Sequence, residues 1–254
     1  MRILISNDDG VYATGINVLA NELSKIAEVV VVAPDRDRSG ASNSLSIQTP
    51  VRVRCLPNGY YSVTGTPADC VHLAVTGLFK IKFDMIISGI NAGANLGDDV
   101  LYSGTVAAAT EGGVMGIQSV AFSLVGKEVY KNYDAAAIVA RQIVSHLQKK
   151  PLPSATIINV NVPDIRFEEL QGFELVRLGK RYPAHPAIKA LDPRGNSIYW
   201  IGASGLADDN GPGTDFNAIK ENKVSITPIQ IDMTNYNAFE NIKSWMSELV
   251  HCEK

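Results

Sequence analysis

The chain of 254 residues is 46% apolar and 19% charged, a globular balance with length enough for one large α/β domain. A formal net charge of −3 argues against duplex nucleic acid or an anionic membrane as the main partner. Three cysteines (Cys55, Cys70 and Cys252) without C-x-x-C spacing argue against a disulfide scaffold or a cysteine zinc site, and suit a reducing compartment.

RILIS (2–6) is a short apolar run closed by turn residues, so it reads as a buried strand. Ile16, Leu19, Ala20 and Leu23 recur at helical spacing and predict a helix over 14–26. EVVVVAP (28–34) is a second buried strand stopped by Pro34. Strand, helix, strand in about 30 residues is the βαβ unit of a parallel sheet. Residues 35–50 are polar, and VRVRC (51–55) alternates like a half-exposed strand. Thr66-Pro67-Ala68-Asp69 carries a helix start: a Thr cap, Pro at the first position and an early acid.

DMIISG (84–89) is another buried strand, followed by a glycine-rich loop and a helix of small residues, TVAAATEGGVMG. A strand at 119–124, a helix at 133–148 and a strand at 155–163 complete a doubly wound α/β core, 1–163. Beyond Pro163, FELVRLG, SIYWIG and KVSITPIQIDM read as strands with no helices between them, giving a β-rich extension over 165–235. A helix at 237–250 closes the chain, with Phe239, Ile242, Trp245 and Leu249 on one face. No basic n-region with an apolar follow-on opens the chain and no apolar run spans a bilayer, so the expected setting is soluble and cytoplasmic.

Open parallel sheets bind ligands at the carboxyl ends of their strands, near the switch point. Three polar segments here follow strands: NDDG, DRDRSGASNS and SGINAGANLGDDVLYSGT. Asp8 and Asp9 are hard oxygen donors that suit Mg²⁺, Mn²⁺ or Ca²⁺ better than zinc, although Asn, Asp and Gly also make an ordinary turn. Ser39 and Asn43 can complete a hard-metal shell, donate to phosphate, or belong to a plain polar loop. Asn91 reads as a donor or as an Asx turn. Ser103-Gly104-Thr105 precede the small-residue helix, where exposed N–H groups make a phosphate seat and the hydroxyls cap the helix. Asp98 and Asp99 are supporting acids or acids favoured ahead of a helix.

The histidines carry little signal: His72 in a helix, His146 and His251 near helix ends, His185 in a loop. None pairs with a serine and no G-x-S-x-G occurs, against a serine-hydrolase triad. G-x-G-x-x-G after the first strand and a Walker-type G-x-x-x-x-G-K-[ST] are both missing. The acids are adjacent rather than spaced D-x-D, which weakens a phosphoaspartyl mechanism.

Together, NDDG (7–10), APDRDRSGASNS (33–44) and SGINAGANLGDDVLYSGTVAAATEG (88–112) resemble the SurE (survival protein E) family of nucleotidases. GTPADCV (65–71), DPRGNSIYWIG (192–202) and GTDFNAIKENKVSITPIQIDMT (213–234) extend the resemblance over nearly the whole chain. It implies a Rossmann-like, mostly parallel sheet with a C-terminal β-hairpin extension used for dimer or tetramer assembly. The implied activity is metal-dependent hydrolysis of nucleoside 5′- and 3′-monophosphates, and in some members of short polyphosphate. The implied ligands of one Mg²⁺ or Mn²⁺ are Asp8, Asp9, Ser39 and Asn91. The implied phosphate contacts are Gly40, Asn43, Ser103, Gly104 and Thr105. Tyr12 and Thr14 stand where the family often has His and Pro, which removes no ligand. Two other readings stay open: a non-catalytic mononucleotide-binding module, and a phosphatase with Asp8 as nucleophile.

Overall fold

The computed structural model describes residues 1–126 and 132–249. The expected end of the last helix at Val250, with His251 and Cys252, lies outside them. In chain order the elements are β1 (Arg2–Ser6), α1 (Thr14–Leu23), β2 (Glu28–Pro34), β3 (Val53–Cys55), β4 (Tyr61–Val63), α2 (Pro67–Leu73), β5 (Met85–Asn91), α3 (Gly104–Val114), β6 (Gln118–Val125), α4 (Tyr133–Leu147) and β7 (Thr156–Pro163). There follow β8 (Phe173–Leu175), β9 (Lys180–Arg181), β10 (Ile188–Leu191), β11 (Ser197–Trp200), β12 (Ala207–Asp209), α5 (Asp215–Lys220), β13 (Val224–Gln230) and α6 (Phe239–Leu249).

Nine strands form one sheet in the order β3-β4-β2-β1-β5-β6-β7-β13-β8. From β4 to β7 every neighbouring pair is parallel; β3 and β13 join antiparallel. Ile3 and Ile5 pack into one core cluster with α1 and α4, while Leu4 packs into another with α2 and α3. A strand buried on both faces has no polar side to show, which explains the unbroken apolar run of RILIS. Each such side chain contributes about 1.5–3 kcal/mol by leaving water. The chain winds outward from β1 through β2 on one side and β5 on the other, so the order reverses between β1 and β5. That crevice is where loops after adjacent parallel strands diverge and leave room for a ligand.

Two expectations beyond Pro163 are corrected. A helix, α5, does interrupt the β-rich segment: Thr214 caps it, its hydroxyl accepting from Asn217 N–H at 3.2 Å. Six residues are too few for helical periodicity to show. The strand KVSITPIQ is also not part of a separate extension. As β13 it pairs along β7 from Ser225 to Gln230 inside the main sheet. Pro228 is tolerated because β8 reaches only Ile226 on the other side. What projects from the core is an arm over about 180–209, made of the β9–β12 pair and the β10–β11 hairpin. Strand β4 carries no alternation long enough to be read in advance.

Candidate active site

Asn7 closes the first strand end. Its Nδ2 donates to Gly10 O at 3.0 Å, and its Oδ1 accepts from Gly10 N–H at 3.2 Å. Gly10 has φ +99°, a conformation only glycine takes freely. This buried turn carries Asp8 and Asp9 just past the end of β1. Asp8 is 4% exposed and its Oδ1 accepts from the Thr105 hydroxyl. Burial pushes its pKa up, and the Thr105 hydrogen bond opposes that rise. Among the described residues no lysine or arginine forms an ion pair with Asp8. Gly104 makes this packing possible: a Cβ there would stand 2.7 Å from Asp8 Cβ.

Asp9 accepts from Ala92 N–H at 3.0 Å, which links the loops after β1 and β5. Burial, with the negative fields of Asp9 and Asp164, pushes the Tyr133 phenol up to about 12. Asn91, at the end of β5, donates its Nδ2 to Gly93 O at 2.9 Å, leaving its carbonyl oxygen as an acceptor. Ser39 donates both its N–H and its hydroxyl to Asp37 Oδ1, each at 2.7 Å. Ser103 caps α3, its Oγ accepting from Val106 N–H at 3.1 Å.

The loops are cross-tied. Ser42 donates through its hydroxyl to Leu101 O (2.8 Å) and through its N–H to Tyr102 O (3.2 Å). The Asp69 carboxylate holds the 39–50 loop, accepting from Ser46 N–H at 2.8 Å, Ser46 Oγ at 2.7 Å and Thr66 N–H at 2.8 Å. Burial works to raise the Asp69 pKa, but these donors outweigh it and hold the carboxyl below its ordinary value.

A cleft of about 540 Å³ brings together Asp8, Ser39, Gly40, Asn91 and Ser103. Asp9, Gly104 and Thr105 lie beside or behind Asp8 rather than in its wall, and Asn43 is exposed on the neighbouring loop. Thr105 is fully buried with its hydroxyl spent on Asp8, and its backbone N–H also works against the rise of the Asp8 pKa, so both of its donors face that carboxylate.

Several wall residues escaped the sequence reading. Asn95 is buried and knitted to the sheet: its N–H meets Asn161 Oδ1 (2.9 Å) and its Nδ2 meets Ser123 Oγ (2.7 Å), while its O accepts from Asn159 (2.9 Å) and Asn161 (3.0 Å). The signal was the pair of asparagines on one face of NVNVP, polar residues inside an otherwise apolar strand. Tyr102, and Ala184, Ile201, Gly202 and Ser204 of the arm, also belong to the wall, as does Asp99, expected above as a supporting acid. Asp99 is held by Arg181 through Nε (2.9 Å) and Nη2 (2.6 Å), a planar two-point pair.

The donor set suits a hard cation: two carboxylates, an amide oxygen and a hydroxyl, with one carboxylate buried and in no ion pair among the described residues. Among the described residues no three His, Cys, Asp or Glu side chains form a metal cage, so a soft or cage-bound metal finds no match.

The family description Survival protein SurE matches residues 3–185. The chain belongs to the SurE family. Over 249 residues it is 57% identical to the 5′-nucleotidase SurE of Legionella pneumophila (strain Lens), covering 98% of each chain. It is 55% identical to the 5′-nucleotidase SurE of Coxiella burnetii (strain RSA 331 / Henzerling II), covering 98% of this chain and 96% of the relative. The crystal structure of the SurE protein from Aquifex aeolicus superposes with a TM-score of 0.85 at 42% identity, covering 97% of this chain and 100% of the other. That likeness bears out the Rossmann-like, mostly parallel α/β fold. Among the described residues no helix is long and apolar enough to cross a membrane.

Proposed function

We propose that this protein is a nucleotidase that hydrolyses nucleoside 5′- and 3′-monophosphates, and short polyphosphate as well, with one divalent cation per subunit. The nucleotidase activity rests on near full-length similarity to two proteins that carry that name. The observation that carries the metal dependence is Asp8: a buried carboxylate with no ion pair among the described residues, at the switch point and beside the start of α3. Asp8, Asp9, Ser39 and Asn91 hold Mg²⁺ or Mn²⁺. A bound ion of this kind supplies charge neutralisation and an acidified water. The N–H of Gly104 has no partner within the helix and, with the helix dipole, favours an anionic phosphate, while Thr105 contacts the phosphate seat through the Asp8 carboxylate that it holds. Ser103 and Gly40 of the cleft wall orient the phosphate toward the carboxylates, and Asn43 joins them from the neighbouring loop when substrate binds.

The test is phosphate release from AMP and GMP with Mg²⁺ or Mn²⁺, for the wild type, Asp8→Asn and Asp9→Asn. Near wild-type rates in either variant remove the metal assignment. Tight nucleotide binding with no release under any metal favours the non-catalytic module. A beryllofluoride adduct on Asp8 favours the phosphoaspartyl route.

A dimer or tetramer assembled through the arm and the C-terminal segment is part of the same reading. Phe239 (55%), Trp245 (55%) and Met246 (56%) of α6 and Trp200 (65%) of the hairpin are exposed in the single chain. Apolar exposure on this scale favours a partner surface. Light scattering should give at least twice the monomer mass at micromolar concentration; a monomer ends this part of the reading. Cys55 and Cys70 are free thiols, consistent with a cytoplasmic setting.

A further inference from the structure

The cleft has two chemically different ends. Around Asp8, Ser39, Asn91 and Ser103 it is polar. At the other end it is walled by Tyr102 from the core and by Ala184, Ile201 and Gly202 from the arm. About 540 Å³ is the size of a site for a whole small molecule rather than for a lone phosphate group.

Tyr102 is held and offered at once. Its N–H donates to Asp99 O at 3.0 Å, and its O accepts from Ser42 N–H at 3.2 Å. The backbone is therefore fixed within its own turn and tied to the loop after β2. Its side chain belongs to a residue that is 68% exposed, and no hydrogen bond engages its phenol among the described residues. Tyr102 directly precedes Ser103, the cap of α3, so a ring lies one residue from the proposed phosphate position. Ile201, 90% exposed, enters the same cleft from the arm. Asp99 also lines it, but Arg181 neutralises that carboxylate, so the wall does not repel a phosphate ester.

We propose that Tyr102 and Ile201 form the nucleobase subsite, with the base stacking on the Tyr102 ring while the phosphate sits at the start of α3. This rests on the nucleotidase reading and adds where selectivity for a nucleoside over a bare sugar phosphate arises. Stacking on an aromatic ring serves any base, because every base has a π face. The subsite therefore selects nucleotides as a class. It also assigns the arm a role in the cleft of its own chain.

The experiment compares two ligands that share a ribose phosphate and differ by the base: AMP and ribose 5-phosphate. Calorimetry on the full-length protein, with and without Mn²⁺, gives the ratio of their dissociation constants. The wild type should prefer AMP. Tyr102→Ala should lower that preference roughly tenfold, the scale of one base–aromatic stack. Tyr102→Phe should keep it, and Ile201→Ala should lower it by a smaller factor. An unchanged ratio in Tyr102→Ala, or equal weakening of both ligands, overturns the subsite. Failure of the underlying reading looks different. A protein that prefers AMP yet releases no phosphate from it keeps the subsite and loses the nucleotidase. One that hydrolyses both with no preference keeps the nucleotidase and loses the subsite.

Discussion

The two ends of the cleft are built by different physics. The Asp8 end hangs on β1 and β5, strands buried on both faces, and its loops inherit their rigidity from the sheet. The arm end hangs on β9 and β12, with two and three residues, and its side chains are largely in water. Few polar contacts hold it in place. Asp215, fully buried, accepts from Gly97 N–H at 2.7 Å and Gly179 N–H at 2.8 Å, bolting the base of the arm to the loop before Tyr102. Arg181 adds Asp99, the Gly205 carbonyl at 3.1 Å and the Phe216 ring at 5.0 Å. A charge at the first end is free to serve chemistry because packing does the positioning. At the second end the charges themselves do the positioning.

That contrast can be broken with substitutions. Asp8→Asn should cut phosphate release on the order of a thousandfold, the scale of several kcal/mol of transition-state charge stabilisation. Without added metal its melting temperature should hold or rise. Burial raises the folded pKa of Asp8, so its charged form costs stability above the unfolded value, and a neutral isostere relieves that cost. A marked fall in melting temperature would erase the distinction between the two ends. Asp215→Ala should do the opposite. The N–H groups of Gly97, Gly179 and Phe216 lose their acceptor, at a cost of about 3 kcal/mol in urea unfolding; a change under about 0.5 kcal/mol, the level of an ordinary surface substitution, would show that the arm is held by something else.

Thr105→Val sharpens the first end. It keeps the helix and the volume but removes the hydroxyl on Asp8, and activity should fall ten- to about a hundredfold, the range for groups that orient a metal ligand. Thr105→Ser should recover most of it. Asp69→Asn probes the loop between the ends. The Asp69 pKa is held down in the fold, so its contribution is present above the unfolded value near 4 and is lost as pH falls through the lower folded value. The variant should be about 1 kcal/mol less stable at pH 7, with a flatter acid limb in a pH series of unfolding curves.

Much of the first end was legible in advance. RILIS, EVVVVAP and DMIISG are runs that only a sheet covered on both faces demands, and turn residues close each at the site. The second end was legible only in part: SIYWIG read as a strand and is β11, but β9 and β12 are too short for a period to show and the key contacts cross the chain. Asp215 and Gly97 are 118 residues apart, and Asp99 and Arg181 are 82 apart. Thr105 shows the limit in one residue. Its place at a helix start was readable, but the hydroxyl's turn toward Asp8, 97 positions earlier, was not.

Local pattern by itself determined the βαβ order, the capped start of α2 and the polar strand ends, because periodicity and capping act within a few residues. It also determined that two hard acids stand together at the first strand end. Tertiary structure alone decided that β1 and β5 are neighbours, that β13 joins the sheet, and that the arm walls the cleft that holds Asp8. Those outcomes depend on which buried faces and unpaired polar groups meet, and that is settled by packing across the whole chain rather than within any one stretch of it.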